Sequence, residues 1–230
     1  MILMACSVWG QPKGATEKAL MKRGHAFLEK RAFVEAEIDF SMVLELNDQN
    51  RFAYYNRGFA RIQLEKYPGA VQDFTQVLEL DPKNPDAHFQ RGIARLNLED
   101  FLGAMADFNQ AIELKPKIPL YYHKRAEAKT GLRDFRGAAA DLSTCIRLEP
   151  GNPIFYMSRA NAMVNVQNFE AAVEDMNYLI SLNPRDYNGY NARAMIKMQG
   201  GDIDGACLDW SKAGELGDVN AYAMISKYCN

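Results

Sequence analysis

Three histidines, four cysteines and a Gly-Gly-Asp turn are the residues of this 230-residue chain best suited to chemistry. His25, His88 and His123 could ligate a metal or act as bases. They lie far apart, and no spacing puts two of them on one helix face. The cysteines, Cys6, Cys145, Cys207 and Cys229, form no C-x-x-C pair and no Cys/His spacing of the zinc type. Gly200-Gly201-Asp202-Ile203-Asp204-Gly205 has the outline of a calcium loop, but the ligand series and its terminal glutamate are missing. No Ser–His–Asp or Cys–His grouping stands out, and no glycine-rich phosphate loop occurs. The expectation is a non-enzyme with no cofactor and no metal.

Charge recurs in a regular way instead. Arginine stands at Arg23, Arg57, Arg91, Arg125, Arg159 and Arg193, and sixteen residues after each comes Asp39, Asp73, Asp107, Asp141, Asp175 or Asp209. A guanidinium matches a carboxylate bidentately and lays its stem along apolar surface. Equal numbers in fixed phase therefore read as one structural pair per repeat, joining the helices of a hairpin or neighbouring hairpins. A row of arginines for an anionic partner is the competing reading, which the matching aspartates oppose.

These pairs sit in a frame that returns every thirty-four residues, six times without insertion or deletion. One position is always small (Gly24, Gly58, Gly92, Ala126, Ala160, Ala194), and twelve residues on comes Ala36, Ala70, Ala104, Ala138, Ala172 or Ala206. Three residues before that alanine is Phe33, Tyr67, Phe101, Phe135, Phe169 or Ile203, and ten after it Leu46, Leu80, Leu114, Leu148, Leu182 or Leu216. Four copies then place Pro82, Pro116, Pro150 or Pro184.

This period and pattern resemble the tetratricopeptide repeat, a helix–turn–helix unit that stacks into a solenoid. The resemblance spans residues 17–220 and implies an all-α fold, a right-handed α-solenoid of six hairpins (17–50, 51–84, 85–118, 119–152, 153–186, 187–220). Residues 1–16 form an N-terminal segment, and residues 221–230 the end of a C-terminal cap helix. The commonest pattern of the family is aliphatic at the arginine position, so this chain departs toward a subtype. One elongated domain is expected, because each repeat buries its apolar face only against its neighbours. In the second copy the spacing predicts a first helix from about Phe52 to Glu65, with Pro68 opening the next and Asp81-Pro82 ending it.

Ala221, Tyr222, Ile225 and Tyr228 or Cys229 make an apolar stripe with Lys227 opposite, as in a solvating cap helix. Two antiparallel helices turning near Gly217 would bring Cys207 and Cys229 together, and a disulfide is expected there. Cys145 stands where other copies carry Val43 and Val77, and reads as a buried small hydrophobe. His88 replaces Tyr54 or Tyr122 and reads as a packed imidazole.

In the family the first helix of each hairpin lines a concave groove. Carried onto this chain, the groove positions hold Phe52, Tyr55, Asn56, Phe59, Phe89, Gln90 and Ile93 in the second and third copies. Further along are His123, Lys124 and Glu127, then Met157, Ser158 and Asn161, then Asn188, Asn191 and Met195. Aromatic anchors beside amides suit an extended peptide. The resemblance thus implies a scaffold that holds a peptide or protein segment, with Tyr55, Phe59 and Phe89 as its centre. A carboxylate clamp for a chaperone tail is not expected: Asn56 matches one clamp position, but Met21, His25, Asp86 and Gln90 occupy the others.

Net charge is −2 with both signs interspersed, so there is no basic footprint for nucleic acid. No apolar run is long enough to span a bilayer. The ten residues Met1 to Gly10 read as the end of an export signal without its basic start. Cleavage after Gly10 and a lipobox at Leu3-Met4-Ala5-Cys6 are two readings of them; a hydrophobic N-terminus covering the first repeat is the third. An exported location, periplasmic or lipid-anchored, is expected over a cytoplasmic one, with assistance in envelope assembly as one alternative role. A structural subunit binding through its convex face is another.

Overall fold

The computed structural model describes residues 16–229, and the export and lipobox readings lie outside them. Among the described residues there are thirteen α-helices and no strand. Consecutive helices pack in pairs, as in a helical solenoid. The chain divides into two compact units, one up to Leu114 and one from Lys115.

Unit 1 contains α1 (Glu17–Glu29), α2 (Phe33–Leu46), α3 (Arg51–Gln63), α4 (Tyr67–Leu80), α5 (Pro85–Asn97) and α6 (Phe101–Leu114). The odd-numbered helix of each hairpin is its A helix and the even-numbered one its B helix. Asn50 and Asn84 start α3 and α5 by accepting the N–H of Ala53 and Ala87 on their side chains, which satisfies a donor that a helix start leaves free. In each hairpin the small residue of the A helix faces a fully buried phenylalanine of the B helix: Gly24 against Phe40, Gly58 against Phe74, Gly92 against Phe108. A methyl group on Gly92 would lie 2.6 Å from the Phe108 ring, so the absence of a side chain lets the two helices close on the ring.

Unit 2 contains α7 (Pro119–Gly131), α8 (Phe135–Leu148), α9 (Pro153–Asn165), α10 (Phe169–Leu182), α11 (Tyr187–Gln199), α12 (Ile203–Glu215) and α13 (Val219–Tyr228). Here the small residue is alanine, and its B-helix neighbour is Leu142, Met176 or Trp210 rather than phenylalanine. Trp210 is buried with Ala194, Ala206, Ala213 and Ala221, and its ring stacks on Tyr228. Cys207 and Cys229 are joined by a disulfide that ties the end of α13 to α12, their Cα atoms 5.8 Å apart. Gly217, at φ 106°, turns the chain into α13, whose start is capped by the Asp218 side chain accepting from Asn220 N–H.

That early turn gives α13 a register the sequence did not disclose. Ala221 and Tyr222 occupy the third and fourth places of α13, as Ala53 and Tyr54 do in α3. The last helix is therefore built like the A helix of a further hairpin. Tyr222 is exposed along with Val219, so the stripe expected to face inward divides between core and solvent.

The arginine–aspartate pairs bind helix to helix and hairpin to hairpin. Arg57 Nη2 lies 2.7 Å from Asp73 within its own hairpin, while Arg57 Nη1 donates to Ser41 of the preceding one. Arg91 likewise holds Asp107 and reaches back to Thr75, Arg159 holds Asp175 and reaches Ser143, and Arg193 holds Asp209 and reaches Asn177. Arg23 pairs with Asp39, and Arg125 with Asp141. A second cation joins four of the aspartates: Arg61 at Asp73, Arg95 at Asp107, Lys129 at Asp141 and Lys197 at Asp209.

Burial is the largest influence on Asp73 and pushes its pKa up, against the pull of Arg57 and Arg61. Hydrogen bonding to the carboxylate raises Arg125, Arg159 and Arg193 above the ordinary guanidinium value. The ladder is thus desolvated and internally matched, an arrangement whose loss costs far more than that of a surface pair.

Tyr122, Tyr156 and Tyr190 lie under these arginines and donate their hydroxyls to the carbonyls of Pro116, Pro150 and Pro184. His88 takes the same place: Nε2 meets the Pro82 carbonyl at 3.1 Å, and Nδ1 faces Asp107. Cys145 is buried, and its thiol donates to the Pro119 carbonyl; burial pushes its pKa up to about 12, which leaves it inert.

Candidate functional site

In unit 1 the groove residues of α3 and α5 differ sharply in accessibility. Phe52 is 60% exposed, whereas Phe89 is 7% exposed and its ring packs against Phe108 at 5.8 Å between centroids. Phe89 therefore belongs to the floor of this face and cannot serve as the exposed anchor the sequence suggested.

Tyr55 lies between these extremes, half-buried and edge-on to Phe74 at 5.5 Å. Burial raises the pKa of its hydroxyl, Asp86 adds to the rise, and a hydrogen bond with Gln90 opposes it. Phe59 and Ile93 are half-buried. Asn56 donates one amide hydrogen to the Phe52 carbonyl, which fixes the amide along the helix. Beside Phe52 and Tyr55 is a cavity of about 300 Å³, walled by Val77, Asp81, Asn84 and Asp86.

In unit 2, Met157 and Asn161 are exposed on α9, while His123 and Lys124 are half-buried on α7. A cavity of about 260 Å³ opens between these helices. Lys124 Nζ donates to both carboxylate oxygens of Glu127, at 2.8 and 2.9 Å. The His123 pKa is lowered, chiefly by burial and also by Lys124, against the pull of Glu127.

The structure brings together one grouping that the sequence search missed. His123 Nε2 is 3.5 Å from Ser158 Oγ, and its Nδ1 is 3.6 Å from Glu127 Oε1. Nucleophile, base and carboxylate in that order suggest acyl transfer. Two features turn the arrangement toward binding. Lys124 already occupies both oxygens of the carboxylate. Ser158 sits within α9, where backbone N–H groups are spent on the helix, so no pair of them can receive an oxyanion.

Among the described residues no cluster of His, Cys, Asp and Glu could hold a metal ion, and no helix is long and apolar enough to cross a membrane.

Comparison with known proteins accords with this geometry. Residues 58–99 match a family model described as TPR repeat, and residues 85–118 one described as tetratricopeptide repeat. The curated proteins give no match. Among solved structures, MamA from Desulfovibrio magneticus RS-1 is 18% identical with a TM-score of 0.65, over 72% of this chain and 94% of that one. A tetratricopeptide repeat protein from Parabacteroides merdae is 20% identical with a TM-score of 0.63, over 93% and 84%. YrrB, described as a TPR protein with an unusual peptide-binding site, is 15% identical with a TM-score of 0.68, over 82% and 97%. These likenesses speak for the fold, and with the two repeat matches they make the chain a tetratricopeptide-repeat protein.

Proposed function

We propose that the chain is a non-catalytic scaffold whose A-helix face takes up an extended peptide or a segment of a partner protein. The observation that carries this reading is the Phe52 ring, 60% exposed beside a cavity of about 300 Å³. An exposed aromatic ring next to an open cavity has apolar area to bury, and amides such as Asn56 and Gln90 can pair with a peptide backbone. Phage-displayed peptides selected on the full chain test it. Selected peptides should bind the Phe52→Ala variant at least tenfold more weakly, with circular dichroism unchanged. Equal binding to both proteins refutes the reading.

One observation favours the exported alternative as the setting of this scaffold. The Cys207–Cys229 disulfide suits an oxidising compartment such as the periplasm. Alkylation of the protein in intact cells tests this. Both thiols should resist modification until a reductant is added, and their free reaction would place the chain in a reducing compartment.

A further inference from the structure

The cavity between α7 and α9 has a chemistry of its own. Ala126, Leu142 and Ala162 make an apolar floor, and His123, Ser158 and Asn161 stand on its walls. Its volume, about 260 Å³, is several times the roughly 30 Å³ of one water and takes a single side chain rather than a helix. The two full charges beside it cancel, because Lys124 is bound to Glu127 through both carboxylate oxygens. The lowered pKa of His123 leaves the imidazole uncharged at neutral pH.

A charged side chain entering here would shed its hydration and meet no free counter-charge. An aliphatic one would cover the Asn161 amide and offer it no partner, while Ser158 and His123 would keep only each other and Glu127. A neutral group that both donates and accepts, carried on a short apolar stem, meets both demands. Serine and asparagine side chains, and a neutral imidazole, each offer a donor and an acceptor. A carboxamide needs that pairing, and the two methylenes of glutamine would lie along Ala126 and Ala162.

We propose that this cavity is a subsite for a glutamine side chain of the bound peptide, a specificity that rests on the scaffold reading above. The subsite can be probed without knowing the partner. The full chain is titrated with N-acetylglutamine methylamide and, separately, with its glutamate, lysine and leucine counterparts, and followed in ¹H–¹⁵N spectra. The glutamine compound should shift the signals of Ser158, Asn161 and Asn165 with an affinity of about 1 mM, at least tenfold tighter than the other three. Asn161→Leu should abolish the shifts and leave the remaining spectrum unchanged.

Equal response to all four compounds, preference for a charged one, or no response to glutamine overturns the subsite. The two readings fail separately. Displayed peptides that bind through Phe52 without glutamine selectivity sink the subsite alone. A glutamine response at Asn161 in a protein that selects no peptide sinks the scaffold reading and leaves the subsite standing.

Discussion

Replacing Gly92 by alanine should destabilise the protein when Phe108 is present and stabilise it when Phe108 is leucine. The new methyl would stand 2.6 Å from one ring carbon of Phe108 and 2.9 and 3.0 Å from two others. Carbon atoms prefer separations of about 3.5–4.0 Å, so the ring would have to retreat by roughly 1 Å. Phe108 is fully buried and backed by Phe89, which leaves it little room. Overpacking of this kind costs about 1–3 kcal/mol, against a helix-propensity gain of about 1 kcal/mol for alanine over glycine. The net loss is about 1 kcal/mol.

With Phe108→Leu the ring is gone, and the pair becomes the Ala126–Leu142 combination that unit 2 already packs to 2% exposure at both residues. Gly92→Ala should then gain about 0.5–1 kcal/mol in that background. The assay is urea unfolding followed at 222 nm on the wild type, the two single variants and the double variant. A coupling of about 1–3 kcal/mol is expected from residues in contact. Additivity within about 0.5 kcal/mol would refute the claim that the ring dictates the glycine.

Three further outcomes follow from the same structure. Asp107→Ala leaves Arg91, Arg95 and His88 without their shared acceptor, and should cost about 3 kcal/mol. Asp39→Ala deprives only Arg23, whose side chain is already 44% exposed, and should cost about 1 kcal/mol; equal urea midpoints for the two variants would contradict the ladder's graded strength. Ile118 starts α7 without a side-chain hydrogen bond where Asn50 and Asn84 supply one in α3 and α5, so Ile118→Asn should raise stability by about 1 kcal/mol in thermal melts. His123 has a folded pKa below its ordinary 6.5, so the unfolded chain takes up the proton first on acidification. Its contribution is therefore full above about pH 6.5 and declines as pH falls from there toward the folded value. His123→Asn should flatten that slope between pH 7.5 and pH 5.5, and an unchanged slope would place the titration elsewhere.

The fold was legible because a repeat presents the same packing problem six times, and the answers align. The Gly92–Phe108 and Ala126–Leu142 pairs answer one such problem in two ways, and both occupy the same columns. Exposure was far less legible. Leucine is invariant at Leu46 and Leu182, yet these residues are 61% and 52% exposed. Phe52 and Phe89 both occupy groove columns, and one is open while the other is shut. A column gives an address on the hairpin but does not fix exposure: Tyr55 and Phe89 share a column, each beside a buried phenylalanine, and the first is half-buried while the second is buried.

The missed contacts share a cause, and it suggests how such chains can be read. Each arginine was matched to the aspartate sixteen residues ahead, but Arg57, Arg91, Arg159 and Arg193 also reach sixteen residues back, to Ser41, Thr75, Ser143 and Asn177. His123 and Ser158 are thirty-five residues apart, one repeat plus one, and meet across the A helices α7 and α9. A search for catalytic or ligand groupings along single helices passes over both relations. In a stacked chain a site is a row across helices rather than a face of one. Residues offset by about one repeat are the first candidates to touch, and the charge and polarity of such rows describe a partner better than those of any single hairpin.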